Sequence, residues 1–482
     1  MKTQRIKSVE LWRLLFTVLV VLWHVKALPW CTEETRILCS GHSVDFFFLL
    51  SGWLMAARGM KQPPDGPVGA GTWRFLRDKL RSIYPTYIFA LLFDIAARAL
   101  LTVRHRVTWS AAAGYIWDLL FLRAAGLGRA SGDTAVGAAW YLSAMLLGML
   151  LLYPLLLRFR DRFLRLMAPA AAILLYGWFF AAHGHLYFTL NFENGICLGL
   201  LRGIAGLCLG CVCYMLDRVL KEALPRPGRA LRLLATGAEV LPVLAVICLS
   251  RLFEPSRADF LCVLLEGVTL TAAFSGMSFL TELTAKLRTD WIGPFTLALY
   301  LNHVVWLRIL SDWNPPVPLG VLVVLYLALS LLTALLCLAT TKLAAGLLRA
   351  ARRKTGEARP SLKGTAIRCA AVWMLCAAAA LGAWLWSGRL EVTPETPRIT
   401  GIERSGGEVV LTWTPVEYAT SYRVFRREPG GDWSLLRAVG TEDLTFADAD
   451  PGENREYAVR ACHLGRGDAV LSGYSAAASP EK

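Results

Sequence analysis

Long apolar blocks fill most of the chain and then give way, near Glu391, to short runs that alternate polar and apolar positions. The blocks fall at 10–28, 43–57, 82–101, 136–157, 166–182, 195–216, 231–250, 259–280, 291–310, 318–347 and 366–387. A helix needs about 20 apolar residues to cross a hydrocarbon core of about 30 Å, so these blocks predict a mainly α polytopic bundle of about 10–11 membrane helices. The stretch 109–123 is apolar but short, and predicts a re-entrant or interfacial segment. Lys2, Arg5 and Lys7 precede the first block, but that block contains Arg13 and His24 and no small-x-small cleavage site follows. It therefore reads as a retained helix rather than a signal peptide.

Beyond Glu391 the alternating runs are Glu408–Trp413, Ser421–Arg426 and Glu456–Ala461. Turn clusters at Ser405-Gly406-Gly407, Pro429-Gly430-Gly431 and Asp450-Pro451-Gly452 separate them. Period-two alternation with such punctuation predicts an all-β sandwich. Three regions follow: a bundle at 1–350, a basic linker with a last membrane helix at 351–390, and the sandwich at 395–480. With Trp413 in an early strand, Tyr422 in the next and Tyr457 as a tyrosine-corner residue, the sandwich resembles a fibronectin type III module. That resemblance implies a spacer or a binding module for cell-wall glycan or protein.

Charge fixes the expected topology. The 482 residues are 55% hydrophobic with a formal charge of +15, and the mean hydropathy is +0.47. The basic residues form clusters between apolar blocks instead of one patch, which argues against nucleic acid as a partner. With the N-terminus inside, internal loops hold Arg58/Lys61/Arg74/Arg77/Lys79/Arg81, Arg158/Arg160/Arg162/Arg165, Arg218/Lys221/Arg226/Arg229/Arg232, Lys286/Arg288 and Arg349/Arg352/Arg353/Lys354. External loops hold fewer: Arg36, Arg104, Arg106, Arg123, Arg129, Arg251 and Arg257. This bias retains basic loops in the cytoplasm and places the sandwich outside it. Most cysteines lie in apolar segments as small hydrophobes. Cys31 and Cys39 share one external loop, where a disulfide is open.

A charged side chain at a membrane helix centre costs roughly 2.5–3.5 kcal/mol, so such residues need a reason to be there. At about 1.5 Å rise per residue, His24 lies roughly 20 Å from the inner end of its helix, and His303 reaches a similar level. Arg202 and Glu266 enter from outside to about 10 Å, and Asp45 sits at the outer mouth. Five ionisable groups from five helices thus fall in one slab. Arg13 stands about three helical turns before His24, on nearly the same face. A cation at the mouth and an imidazole at depth suit a tunnel receiving an anionic cofactor from inside. Plainer readings stay open: a membrane histidine can simply bond a neighbouring helix, Arg13 and the 74–81 cluster can be topology signals, and Arg202 and Glu266 can form a structural ion pair. Trp140-Tyr141 reads as an interfacial belt, and Asp94 and Arg308 suggest no role.

The same residues resemble the acyltransferase 3 family of membrane O-acyltransferases. The likeness rests on Glu10-Leu11-Trp12-Arg13 followed by His24, and on the run Ser43–Trp53. Phe75-Leu76-Arg77, Arg81–Pro85, Ala139–Ser143 and Ala298–His303 echo later segments. The acidic run found after the Trp140 segment in many members is missing. The resemblance implies transfer of an acyl group, acetyl above all, from cytoplasmic acyl-coenzyme A to a hydroxyl of a cell-surface or exported carbohydrate or lipid-linked glycan. It implies a bacterial plasma-membrane location, His24 as the essential histidine, and Arg13, Arg77 and Arg81 on the coenzyme. No metal is expected.

Acyl transfer to a hydroxyl needs a base and stabilisation of an oxyanion. The sequence reading makes His24 the base or an acyl carrier, oriented by Asp45 or Glu266, with Arg202 or His303 near the developing charge. The alternative is a non-enzymatic glycan translocator, or an anchor for an adhesive module. Transporters also hold ionisable residues at mid-depth, but no inverted repeat or broken helix pair is legible.

Overall fold

The structure, a computed structural model, describes residues 6–102, 109–127, 136–351, 363–387, 392–405, 407–452, 454–465 and 469–480. Lys2, Arg5, Arg104, Arg106, Arg129, Arg352, Arg353, Lys354 and Gly406, named above, lie outside the described residues.

The helices are α1 (Lys7–Trp23), α2 (Asp45–Gly59), α3 (Val68–Leu101), α4 (Trp109–Leu119), α5 (Trp140–Phe159), α6 (Ala168–Ala182) and α7 (Leu198–Ala223). They continue with α8 (Arg229–Leu252), α9 (Ala258–Ser275), α10 (Phe279–Thr284), α11 (Ile292–Asn302), α12 (Val304–Trp313), α13 (Leu319–Ala351) and α14 (Lys363–Ser387). Among the described residues nine helical segments are long and apolar enough to cross a membrane. The other two expected spans are the 15-residue α2 and the pair α11–α12. Helix α4 has 11 residues, too short to cross, as its sequence suggests. Large apolar side chains such as Ile173, Leu234, Leu241 and Ile367 are exposed, as helix faces turned to lipid must be.

Several boundaries differ from the sequence reading. Helix α3 starts at Val68, so Arg74, Arg77, Lys79 and Arg81 ride on its first turns instead of a loop. The block 291–310 is not continuous: it breaks at His303. There Asn302 Nδ2 donates to the Ala298 carbonyl (2.8 Å) and His303 Nδ1 faces the Leu299 carbonyl (3.3 Å). Side chains that take up i−4 carbonyls compete with the backbone ladder and bend a helix. This is one helix interrupted at one residue, which the sequence did not show. Cys31 and Cys39 are free thiols, Cys39 Sγ standing 3.2 Å from the Arg251 carbonyl.

Loop contacts divide the bundle into two ends. At one, Arg160 donates to the carbonyls of Met60 and Gln62, and Lys7 reaches the Ala285 carbonyl. This is the basic end. At the other, Cys39 and Ser40 donate their backbone N–H groups to Ser250, and Trp30 Nε1 donates to the Pro315 carbonyl.

The centre of the bundle is α7, packed against α2, α5, α6 and α9. Its contact with α2 is backbone to backbone. A Cβ on Gly52 would stand 2.1 Å from the Leu207 carbonyl oxygen, and one on Gly210 the same distance from that of Leu49. Small residues let membrane helices approach this closely where van der Waals packing must replace a hydrophobic drive.

The C-terminal region is a sandwich of antiparallel sheets. A short hairpin in the bundle supplies β1 (Phe192–Glu193) and β2 (Ile196–Cys197). The sandwich strands are β3 (Ile399–Ser405), β4 (Glu408–Trp413), β5 (Ser421–Arg427), β6 (Ser434–Val439), β7 (Thr445–Asp448), β8 (Glu456–His463) and β9 (Val470–Leu471). One sheet has the order β3-β4-β7, the other β6-β5-β8-β9. Val409, Leu411, Trp413, Tyr422, Val424, Tyr457, Val459 and Ala461 fill the space between them. Tyr457 opens β8 and donates its hydroxyl to the Asp448 carboxylate at the end of β7 (2.9 Å). Burial and this carboxylate both push its phenol pKa up.

Replacing Gly210 by leucine is expected to prevent α2 and α7 from closing. The variant should lose several degrees of thermal stability in detergent, more than the roughly 1–3 kcal/mol of ordinary overpacking. Gly69→Ala, with open space around it, should leave the melting temperature unchanged.

Candidate functional site

Helix α1 carries two of the expected residues at opposite ends of one face. His24 follows its last residue, where the helix tightens into a 3₁₀ turn over His24–Ala27. The His24 Nδ1 stands 2.8 Å from the Val20 carbonyl, which can only accept, so Nδ1 carries the proton. The lone pair is then on Nε2. His303, at the break between α11 and α12, places its Nε2 3.4 Å from the same Nδ1. Its own Nδ1 faces the Leu299 carbonyl, so its Nε2 is an acceptor. The rings lie edge to face with centroids 4.8 Å apart. His24 is thus held from behind by a carbonyl and a second imidazole, with Nε2 left basic.

The expected carboxylates do not orient it. Asp45 receives Arg202 through two bonds, Nε to Oδ1 at 2.9 Å and Nη2 to Oδ2 at 2.6 Å. Arg202 Nη1 donates further to the Phe188 carbonyl (3.2 Å). Both side chains are buried, and the pair ties α7 to the start of α2 and to the 183–197 connection. Glu266 stands instead 3.2 Å from His42 Nδ1, and His42 Nε2 lies 2.7 Å from Ser250 Oγ. Ser250 gives its proton to the Val246 carbonyl and so accepts from His42. The Arg202–Glu266 ion pair left open by the sequence is replaced by these two separate pairs. Arg202 still borders the cavity beside His24, but its guanidinium is engaged.

Two cavities meet at the site. One, about 220 Å3, lies toward the basic end, with Arg13, Lys79, Ser82, Ser51 and Tyr141 in its wall. The other, about 240 Å3, contains His24, with Trp23, Lys26, Trp140, Tyr187 and Arg202 around it. Val44 and Tyr300 line both. Tyr300 donates its hydroxyl to the Ala138 carbonyl (2.9 Å), with its ring 6.0 Å from that of His303 and 5.9 Å from that of Tyr141. Tyr300 thus stands, with Val44, where the cavity of Arg13 adjoins that of His24.

Arg13 is paired with Glu10 at 3.0 Å and extends toward Gly293, where a Cβ would meet its Nη1 at 2.9 Å. The second cation in this cavity is Lys79, a member of the 74–81 cluster that the sequence reads either as reinforcing the mouth or as a topology signal. Arg77 and Arg81 are absent from the cavity wall: Arg77 lies near Asp78 at 3.9 Å, and Arg81 is exposed. Each helical residue turns about 100°, so positions two apart face different ways. The Trp140-Tyr141 belt is also corrected, since Tyr141 is buried in the bundle and Trp140 borders the His24 cavity. Asp94 and Arg308 do have a role: Asp94 binds Arg98 at 2.7 Å and Arg308 at 3.3 Å, joining α3 to α12. Lys79, Tyr141 and Tyr300 were missed as site residues, and His42 as the partner of Glu266. The segments holding Tyr141 and Tyr300 carried the signal. Among the described residues no three His, Cys, Asp or Glu side chains gather as a metal site would require.

Arg202→Ala is expected to leave Asp45 charged and buried without a partner, a loss of about 3–5 kcal/mol. It should appear as loss of folded protein in size-exclusion chromatography. Arg202→Lys, which cannot form the two-bonded fork, should rescue it only in part.

Residues 6–342 match the acyltransferase domain that defines the acyltransferase 3 family. No curated protein and no solved structure matches the sequence. The match covers α1 to α12 and most of α13, and it decides for an enzyme over the translocator or anchor that the sequence left open. Taken with the nine apolar spans among the described residues and with the His24–His303 pair beside the second cavity, it makes the chain a multi-pass membrane acyltransferase belonging to the acyltransferase 3 family.

Proposed function

We propose that the enzyme moves an acyl group, acetyl by its resemblance, from cytoplasmic acyl-coenzyme A to a hydroxyl of a cell-surface or exported carbohydrate. One observation carries this reading: a cavity with two cations and a cavity with a free imidazole nitrogen share Tyr300 as a wall. In this reading the basic end faces the cytoplasm of a bacterial cell, in keeping with retained basic loops. Arg13 and Lys79 take the phosphates of the coenzyme, as charge-assisted donors do. The thioester then lies toward Tyr300 and His24.

The acceptor sugar occupies the second cavity, where Trp23, Trp140 and Tyr187 offer flat apolar faces and Lys26 a donor. His24 Nε2 takes the hydroxyl proton as the oxygen attacks the thioester carbonyl. The C–S bond breaks as the intermediate collapses, and the leaving thiolate receives that proton from Nε2. His303 accepts from Nδ1 throughout and steadies the imidazolium. An acyl group held briefly on Nε2 is the covalent variant of the same geometry. The sandwich is taken as fibronectin type III-like, supported by its strand order and by Tyr457 bridging the corner between β7 and β8.

His24→Ala is expected to lower transfer by at least about a hundredfold, the span of general base catalysis, with donor binding retained. Inverted vesicles given labelled acyl-coenzyme A would show it. Label reaching a carbohydrate supports the reading, whereas glycan movement without label contradicts it. Arg13→Ala and Lys79→Ala should each raise the KM for donor about tenfold with little change in kcat, the loss of a charge-assisted contact. Arg74→Ala, on an exposed position of α3, should not.

A further inference from the structure

The outer face of the four-stranded sheet holds positive charge that the sandwich leaves unmatched. Tyr422 and Val424 of β5, and Val459 and Ala461 of β8, point into the core. The residues alternating with them include Arg423 and Arg460, and the antiparallel register sets these two directly opposite. Like charges in that relation repel. Among the described residues neither arginine has a carboxylate partner; Arg460 Nε donates only to the Ser472 carbonyl (2.6 Å).

An aromatic ladder holds the cations in place. The Arg460 guanidinium lies over Tyr474 (4.6 Å), Tyr474 stacks on Trp433 (5.5 Å between centroids, 19° between planes), and the Arg427 guanidinium lies over Trp433 (4.3 Å). Phe425 supports Tyr474 from the sheet. Only Arg427 has an acidic partner, Glu456 at 2.7 Å. Guanidinium forks fixed by stacking lose little freedom when they bind, and their paired N–H groups match carboxylate or phosphate oxygens.

We propose that this face binds an anionic carbohydrate polymer. Carboxylates or phosphates along it relieve the Arg423–Arg460 repulsion, and the edges of Trp433 and Tyr474 meet the sugar rings between. The sandwich touches the bundle at the end that holds His24: Asn314 Nδ2 faces the Leu464 carbonyl (3.4 Å), and the Trp30 ring lies against Tyr418 (5.3 Å). Under the function proposed above, on which this identification of the substrate class rests, the sheet gathers an acidic acceptor beside the cavity where it reacts.

Full-length protein in detergent, assayed for binding to polygalacturonate and to dextran, tests this. Retention by polygalacturonate but not dextran is expected, with an affinity that falls as salt rises. Arg423→Gln with Arg460→Gln should weaken it at least about tenfold. Glu456→Gln, which releases Arg427, should strengthen it by about twofold to threefold. These two changes run in opposite directions, so a folding defect cannot mimic both. Equal binding to dextran, indifference to the arginine substitutions, or equal competition by single-stranded DNA would each overturn the proposal. Binding is read without acyl transfer: vesicles that fail to transfer label would sink the catalytic reading and leave the anionic face standing.

Discussion

The approach of α2 to α7 is the constraint on which the site depends. Glycine at 52 and 210 lets the two backbones touch, and only at that distance can Arg202 close both bonds on Asp45. Once closed, the pair fixes the start of α2 and, through the Phe188 carbonyl, the connection that helps wall the His24 cavity. A buried ion pair is weak evidence of net stability against an apolar substitute. Its effect here is geometric: it sets where one wall of the cavity stands. The cations lining the two cavities consequently differ in kind. Arg202 is spent on structure, bound to Asp45, whereas Lys79 lines the cavity that also holds Arg13.

The histidines follow a second rule. Both sit where a helix departs from regular α geometry, one at the 3₁₀ end of α1 and one at the break before α12. Each uses Nδ1 on the carbonyl four residues back. That bond selects the tautomer.

Much of this was legible in the sequence. Apolar blocks gave the bundle, and alternation with turn residues gave strands that begin where expected, at Glu408, Ser421 and Glu456. Depth arithmetic put His24 and His303 at one level, and they do meet. Depth alone could not say who pairs with whom, since that needs the rotation of each helix about its axis. So an Arg202–Glu266 pair stays open in the sequence, where the partners are Asp45 for Arg202 and His42 for Glu266, and Lys79 is passed over for Arg77 and Arg81. The break at His303 was hidden because nothing in an apolar run marks side chains that will claim carbonyls. Arg423 and Arg460 were invisible as a pair because cross-strand register is a tertiary fact.

Tyr300, which with Val44 lines both chambers, is anchored by one hydrogen bond to the Ala138 carbonyl and by ring contacts with Tyr141 and His303. A bond of that kind contributes about 1 kcal/mol. Side chains change rotamer far faster than helices shift. A turn of that phenol alone therefore reshapes a wall that both chambers share, with no rocking of helix against helix.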